Sequence, residues 1–162
     1  MTPTLSTPKT FLESYEEYTY DIFNAPEIYN HMFGLGLIAY AVGRPPLNID
    51  PPGTYPNLYI TLLGAPGKTR KSNTQKIAKN ILPPSQRDAL PQSFSPEGLQ
   101  AAVSDHPRGS MFIEEIAGLF ESIHKRDYIA GTADLLCEIY DCPEHYSRRD
   151  PPLNHPQEGQ KK

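Results

Sequence analysis

Cysteine and long apolar runs are scarce in this chain of 162 residues. The two cysteines, Cys137 and Cys142, are spaced as CEIYDC, which is not a CxxC motif, and one pair is too few for a disulfide scaffold. The longest apolar run begins at Met32 and has about half the length that a membrane-spanning helix requires. The opening MTPTLSTPKT lacks the apolar core of a signal peptide. The sequence therefore predicts a soluble, cytoplasmic protein in a reducing compartment, without a membrane partner.

An excess of positive charge is also missing. Fifteen Lys and Arg residues against nineteen Asp and Glu residues give a net charge of −4, which excludes a basic nucleic-acid clamp. Contact with DNA would therefore require a local patch or a larger assembly. The length is sufficient for one domain with a hydrophobic core. Eighteen prolines indicate many turns.

The composition shifts along the chain predict four regions. We expect a disordered N-terminus over 1–10, an N-terminal helical segment over 11–50, a core over 51–149 and a disordered tail over 150–162. Within these regions, apolar spacing and capping residues predict helices at six places. They are the segment from Phe11 to Tyr20, the segment between Pro26 and Gly43, Lys71–Leu82, the turns after the N-cap Ser95, and the two segments IAGLFESIHK and TADLLCEIYD.

Two short apolar runs predict buried strands. LYITLL, Leu58–Leu63, is bounded by Asn57 and Gly64, and Met111–Ile113 ends in two carboxylates. The order strand, loop, helix, helix, strand, helices favours an α/β domain with a parallel sheet.

The turn between the first predicted strand and the following helix is rich in Gly and Lys. The motif G-x-x-x-x-G-K-[ST], which cradles phosphates with backbone amides and a lysine, fits it in two registers. With Lys68 and Thr69 as the final pair, Leu62 takes the place of the first glycine. With Lys71 and Ser72 as the pair, Gly64 lies one residue early. A strand before the loop and a helix after it favour phosphate binding over a solvated basic turn.

Glu114 and Glu115 follow the second predicted strand. In an open α/β fold, the carboxyl ends of parallel strands lie where ligands bind. The first carboxylate could hold a Mg²⁺ ion through water, and the second could orient an attacking water. The alternative is a pair of solvated acids at the end of a strand.

Several separated blocks resemble a family of P-loop ATPase domains from phage, plasmid and bacterial primase-helicase-type proteins. The blocks are YPNLYITLLGAPGKTRKS, SPEGLQAAVSD, MFIEEIAGLFES and RDYIAGTADLLCEIYDCPEHYSRR, and the leading APEIYNHMFGLGLIAYAVGR is similar as well. The resemblance spans Phe11 to Arg149. It implies a RecA-like or AAA-like P-loop NTPase fold, and ATP hydrolysis coupled to work on DNA in the replication of a mobile element.

The resemblance also implies site residues. It aligns the family's RKS with Arg70, Lys71 and Ser72, so Lys71 would hold phosphate and Ser72 would hold Mg²⁺. Glu114 would bind the metal through water, and Glu115 would act with Lys71 in catalysis. ATP would be bound by Gly64, Pro66, Gly67, Lys68, Thr69, Arg70, Lys71 and Ser72.

The sequence departs from this family at two points. Glu114 stands where Asp is usual, and the chain ends in DPPLNHPQEGQKK where the family continues into a further core strand. We therefore expect a domain that is incomplete at its C-terminus and acts as a homo-oligomer or with a missing C-terminal partner. The alternative function is a nucleotide-binding or interaction module without hydrolysis. A small P-loop kinase ranks last, because an arginine-rich lid is missing.

Two other groups of side chains have ordinary explanations. A zinc site from Cys137, Cys142, His124 and His145 fits no common spacing, and Cys137 is expected to be a small core residue. The aromatic residues could stack on bases, but packing in the core is the favoured interpretation. These aromatic residues are Tyr15, Tyr18, Tyr20 and Phe23.

Overall fold

The computed structural model of the protein describes residues 8–22, 24–43, 54–65, 67–125 and 130–142, with the backbone alone at 122–125 and 130. These residues form six α-helices and one short 3₁₀ helix. The α-helices are α1 (Phe11–Ile22), α2 (Glu27–Val42), α3 (Lys71–Ile81), α4 (Pro96–Asp105), α5 (Ile116–Lys125) and α6 (Ala130–Asp141), and the 3₁₀ helix spans Pro84–Gln86. The helices predicted from apolar spacing are therefore confirmed, each within a few residues of its expected bounds.

The capping residues explain where several helices begin and end. At α1, Thr10 and Glu13 form a capping box in which each side chain bonds the other's backbone N–H, at 3.2 and 2.8 Å. The hydrogen bonds from Thr10 lower the pKa of Glu13. At α4, the Ser95 side chain accepts a hydrogen bond from the amide of Gly98, as the sequence predicts. Helix α2 ends at Gly43, whose φ of 71° few other residues adopt without strain.

The prediction of a parallel sheet, and with it of a RecA-like or AAA-like core, is wrong. The described part of the chain contains no strand or sheet. Leu58–Leu63 and Met111–Ile113 are loop segments there. A short apolar run is compatible with a buried strand and also with an extended segment covered by helices, because the pairing that makes a sheet involves distant residues.

The segment Leu58–Leu63 shows what replaces the strand. Its Tyr59 hydroxyl donates a 2.7 Å hydrogen bond to the Leu136 carbonyl of α6, and the Tyr59 ring meets the Tyr140 ring edge to face. On the other side, Ile60 lies against Gly36 of α2. The segment therefore contacts α2 and α6, and Leu63 is left 78% exposed where a buried strand was expected.

The main core lies where α1, α2 and α3 meet. The buried cluster there consists of Tyr15, Leu37, Ala78 and Leu82. Phe112, from the loop segment Met111–Ile113, packs against it. Helices α1 and α2 approach closely at Gly34, where a Cβ would lie 2.5 Å from the Leu12 side chain. The same two helices are joined by the ion pair of Glu16 and His31, at 2.6 Å. This packing holds α3 against α2.

Candidate phosphate-binding loop

The loop before α3 ends in an uncapped helix start. Arg70 has left-handed backbone angles, φ 51° and ψ 22°, and its carbonyl accepts the first helical hydrogen bonds from the amides of Asn73 and Thr74. No side chain caps the helix, and its first turn contains no acidic residue. Among the described hydrogen bonds, none uses the amides of Lys71 and Ser72. Two backbone donors and the positive end of the helix dipole are thus available to an anion.

The two glycines of the loop have different surroundings. Gly67 has a φ of 72°, and nothing lies within 4 Å of the place where its Cβ would be, so its backbone faces open space. At Gly64 a Cβ would lie 2.4 Å from the Tyr29 hydroxyl and 2.6 Å from the Thr69 hydroxyl. Gly67 therefore leaves room for a ligand, whereas Gly64 allows the loop to pack closely on α2.

Tyr29 holds the loop and was missed by the sequence reasoning. Its hydroxyl donates a 2.6 Å hydrogen bond to the carbonyl of Leu63, the residue before Gly64. Within the loop, the Thr69 hydroxyl donates to the carbonyl of Ala65 at 3.2 Å. The available signal was a tyrosine in an apolar helix, because a buried tyrosine usually brings its hydroxyl to a partner.

Three cationic residues lie within a few positions of the uncapped helix start. Lys68 and Arg70 are exposed, Lys71 is half-buried at the first helical position, and the described ion pairs include none of them. Lys68 also borders a concavity that contains Glu16, Glu17 and Glu27. Because these carboxylates repel phosphate, the geometry favours Lys71 over Lys68 as the phosphate lysine. Pro66 lies outside the described residues.

The paired glutamates are not brought to the loop by any described contact. Glu114 and Glu115 are exposed, and no described hydrogen bond or ion pair joins them to residues 64–72. The preceding Phe112 packs against the core cluster, whose member from α3 is Ala78. Ala78 is about 10 Å along the helix axis from Lys71. The expectation that Glu114 and Glu115 lie opposite the loop depended on a parallel sheet, and the described part of the chain does not form one.

The residues considered for zinc and for base stacking are only partly described by the structure. Cys137 is exposed, so its prediction as a core residue is wrong, and Leu135 takes the buried position on α6. Groups of three or more metal-ligating side chains are absent from the described residues. The side chain of His124 and all of His145 lie outside them. Of the aromatic residues, Tyr15 is buried, while Tyr18 and Tyr20 are 54% and 72% exposed, and Phe23 lies outside the described residues.

Two further findings bear on the kind of protein. None of the described helices combines the length and the apolar character needed to cross a bilayer. Comparisons of the chain with family models, with curated proteins and with solved structures found no match.

Proposed function

We propose that the loop from Gly64 to Ser72 binds the polyphosphate of a nucleotide, with ATP and Mg²⁺ as the ligand. The observation that carries this proposal is the uncapped start of α3, where the amides of Lys71 and Ser72 have no described partner. A helix start of this kind binds phosphate without help from a sheet. The exposed Ser72 lies at this helix start, where its hydroxyl can serve as a Mg²⁺ ligand beside the phosphates.

The proposed role is a nucleotide-binding module, and hydrolysis is not part of it. Attack by water requires a carboxylate or another polar group that orients the water beside the phosphate. Glu114 and Glu115 have no described contact with the loop, and the neighbouring Phe112 packs against the core cluster of α1, α2 and α3. Binding without turnover is therefore the function that the geometry favours over an ATP-driven helicase.

The test is a titration of ATP, with and without Mg²⁺, by calorimetry on the wild type and three variants. Lys71→Ala is expected to weaken binding roughly tenfold or more, because it removes a charged hydrogen-bond donor. Lys76→Ala is the matched control, since this exposed lysine is on the same helix beyond its first turn. Lys68→Ala is expected to have the smaller effect of the two loop lysines.

Two results would contradict the proposal. One is a wild type that does not bind ATP at millimolar concentration. The other is an equal loss of affinity in Lys71→Ala and Lys76→Ala, which would show that general positive charge and not the loop attracts the nucleotide. A parallel assay of phosphate release, in the wild type and in Glu115→Gln, is expected to show no turnover that depends on Glu115.

A further inference from the structure

Helix α2 carries apolar residues on two sides. One side belongs to the core: Leu37 is part of the buried cluster, and Phe33 and Tyr40 pack against it. The residues of the other side are Ile28, Leu35, Ile38 and Val42. A surface helix normally has polar residues on the side that faces away from the core, whereas a helix that is apolar all round is normally buried all round.

This second side of α2 leaves much apolar surface uncovered. Ile28, Ile38 and Val42 are 57%, 36% and 38% exposed, and Leu35 between them is half-buried. Single exposed apolar residues are ordinary, but four on one side of a helix form a continuous surface, and such surfaces mark interaction sites. We call these four residues the α2 stripe.

The spacing of the α2 stripe is symmetric about Leu35. Ile28 precedes Leu35 by seven residues, and Val42 follows it by seven. Intervals of three, four and seven residues are those of helices that pack along a narrow seam. If two copies of α2 pack antiparallel with their Leu35 residues face to face, Ile28 of each copy faces Val42 of the other. The stripe therefore fits a second copy of itself, as an isologous two-fold interface requires.

The charges at the two ends of α2 favour the same arrangement. Glu27 is exposed in the first turn of the helix. At the other end, the exposed Arg108 lies against Gly43, with its Nε 2.9 Å from the place where a Cβ would be. The described ion pairs include neither Glu27 nor Arg108. In an antiparallel pair, the acidic end of each α2 comes to the basic end of the other, and the two helix dipoles attract each other.

We propose that the α2 stripe is the interface of a two-fold symmetric dimer, in which α2 packs antiparallel against α2 of a second copy of this chain. The inference does not depend on nucleotide binding, because the stripe contains no residue of the loop. One pair of 16-residue helices, each about 24 Å long, makes a small interface. We therefore expect a dissociation constant on the order of micromolar.

The first experiment is sedimentation equilibrium of the full chain between about 5 and 500 µM, over which the wild type is expected to pass from monomer to dimer. Ile38→Lys is expected to raise the dimer dissociation constant about tenfold or more, because it places an unpaired charge in the interface. Ile81→Lys is the matched control and should leave the dimer unchanged. Ile81 is 43% exposed, much as Ile38 is, but it lies at the end of α3.

Ile28→Lys keeps the test informative if circular dichroism shows that Ile38→Lys does not fold. Ile28 is the most exposed residue of the stripe, so a lysine there should disturb the monomer least while it weakens the dimer to a similar extent. A wild type that stays monomeric over the whole range would overturn the proposal, and the stripe would then be left to another part of the chain or to a different protein. A dimer that is equally stable in all three lysine variants would also overturn it, since its interface would lie elsewhere.

The second experiment tests the antiparallel arrangement by crosslinking, in a background in which Cys137 and Cys142 are replaced by serine. With oxidised glutathione, Leu35→Cys is expected to form a disulfide-linked dimer. Ile28→Cys alone should not, because its two copies would be about 21 Å apart along the helices and a disulfide needs Cα atoms within about 7 Å. A mixture of Ile28→Cys and Val42→Cys should crosslink. Efficient crosslinking of Ile28→Cys with itself would indicate parallel helices and would overturn the proposed interface.

Discussion

The hydroxyl of Tyr29 donates a 2.6 Å hydrogen bond to the backbone carbonyl of Leu63, and it thereby ties helix α2 to the entrance of the glycine loop. The tyrosine is 7% exposed, so packing also restricts its ring. The same hydroxyl faces Gly64, where a side chain would collide with it. The position of the loop relative to α2 therefore depends on a contact between residues 34 positions apart.

Tyr29→Phe tests this contact. The change removes one hydrogen bond and keeps the ring, so we expect a loss of about 1 kcal/mol in the free energy of unfolding, measured by urea denaturation. We also expect ATP affinity to fall severalfold, because the loop loses its attachment to α2. Tyr18→Phe, at an exposed position of α1, is the control and should change neither quantity. Unchanged stability and affinity in Tyr29→Phe would show that packing alone positions the loop.

Gly64→Ala addresses the close approach of loop and helix. A Cβ at this position would lie 2.4 Å from the Tyr29 hydroxyl and 2.6 Å from that of Thr69, so both must move. We expect destabilisation of about 1–3 kcal/mol, the usual cost of overpacking. Gly118→Ala is the matched control, because a Cβ there meets nothing within 4 Å and lies within α5. That variant should gain about 0.5–1 kcal/mol from the loss of backbone freedom in the unfolded chain.

The two glycine variants are informative as a pair. If Gly118→Ala is destabilised as much as Gly64→Ala, then a lack of space for the Cβ does not explain the loss at position 64. In Tyr29→Phe, the alanine at position 64 should cost less than in the wild type, since the colliding hydroxyl is gone and the two effects are coupled.

The local parts of the fold could be predicted from the sequence, and the contacts between distant residues could not. Ser95 followed by Pro96 predicts a helix start, and the structure has one there, because capping involves residues three positions apart. The composition of LYITLL predicts a strand, but whether a strand forms depends on a pairing partner far along the chain. In the described structure Tyr59 bonds to α6 and Ile60 packs on α2, so the segment contacts helices.

The same distinction applies to the candidate site. The sequence predicts the helix start at Lys71, and the structure has it, since the Gly-rich turn and the apolar spacing after it are local signals. The nearness of Glu114 and Glu115 to the loop was inferred from a sheet that the described residues do not form, so it stays a prediction without that support. The role of Tyr29 required knowledge of what approaches Leu63, which no local pattern contains.

The N-cap at Ser95 provides a quantitative check on helix α4. The Ser95 hydroxyl accepts a 3.1 Å hydrogen bond from the amide of Gly98, one of the amides at a helix start that have no partner within the helix. Ser95→Ala should lower the free energy of unfolding by about 1 kcal/mol. Ser104→Ala is the control: the Ser104 hydroxyl bonds to the Gln100 carbonyl within the same helix, and alanine is well tolerated there. Equal effects of the two changes in urea denaturation would contradict the cap.

Because of Tyr15, the free energy of unfolding should fall as the pH becomes alkaline. Burial, and secondarily the neighbouring Tyr18, raises the pKa of Tyr15 to about 12 from its ordinary value of 10.0. The folded state therefore holds the phenolic proton more tightly than the unfolded chain. The contribution to stability is complete below pH 10.0, and it is lost as the pH rises through that value toward about 12.

Tyr15→Phe should remove this dependence, because phenylalanine has no proton to lose. The Tyr15 hydroxyl has no hydrogen-bond partner among the described residues, so we expect the variant to be at least as stable as the wild type at neutral pH. The measurement is the free energy of unfolding in urea at several pH values between about 8 and 12. The difference between Tyr15→Phe and the wild type should widen above pH 10.0, whereas Tyr18→Phe should follow the wild type much more closely. A parallel decline in all three proteins would mean that Tyr15 releases its proton as readily in the folded state as in the unfolded chain.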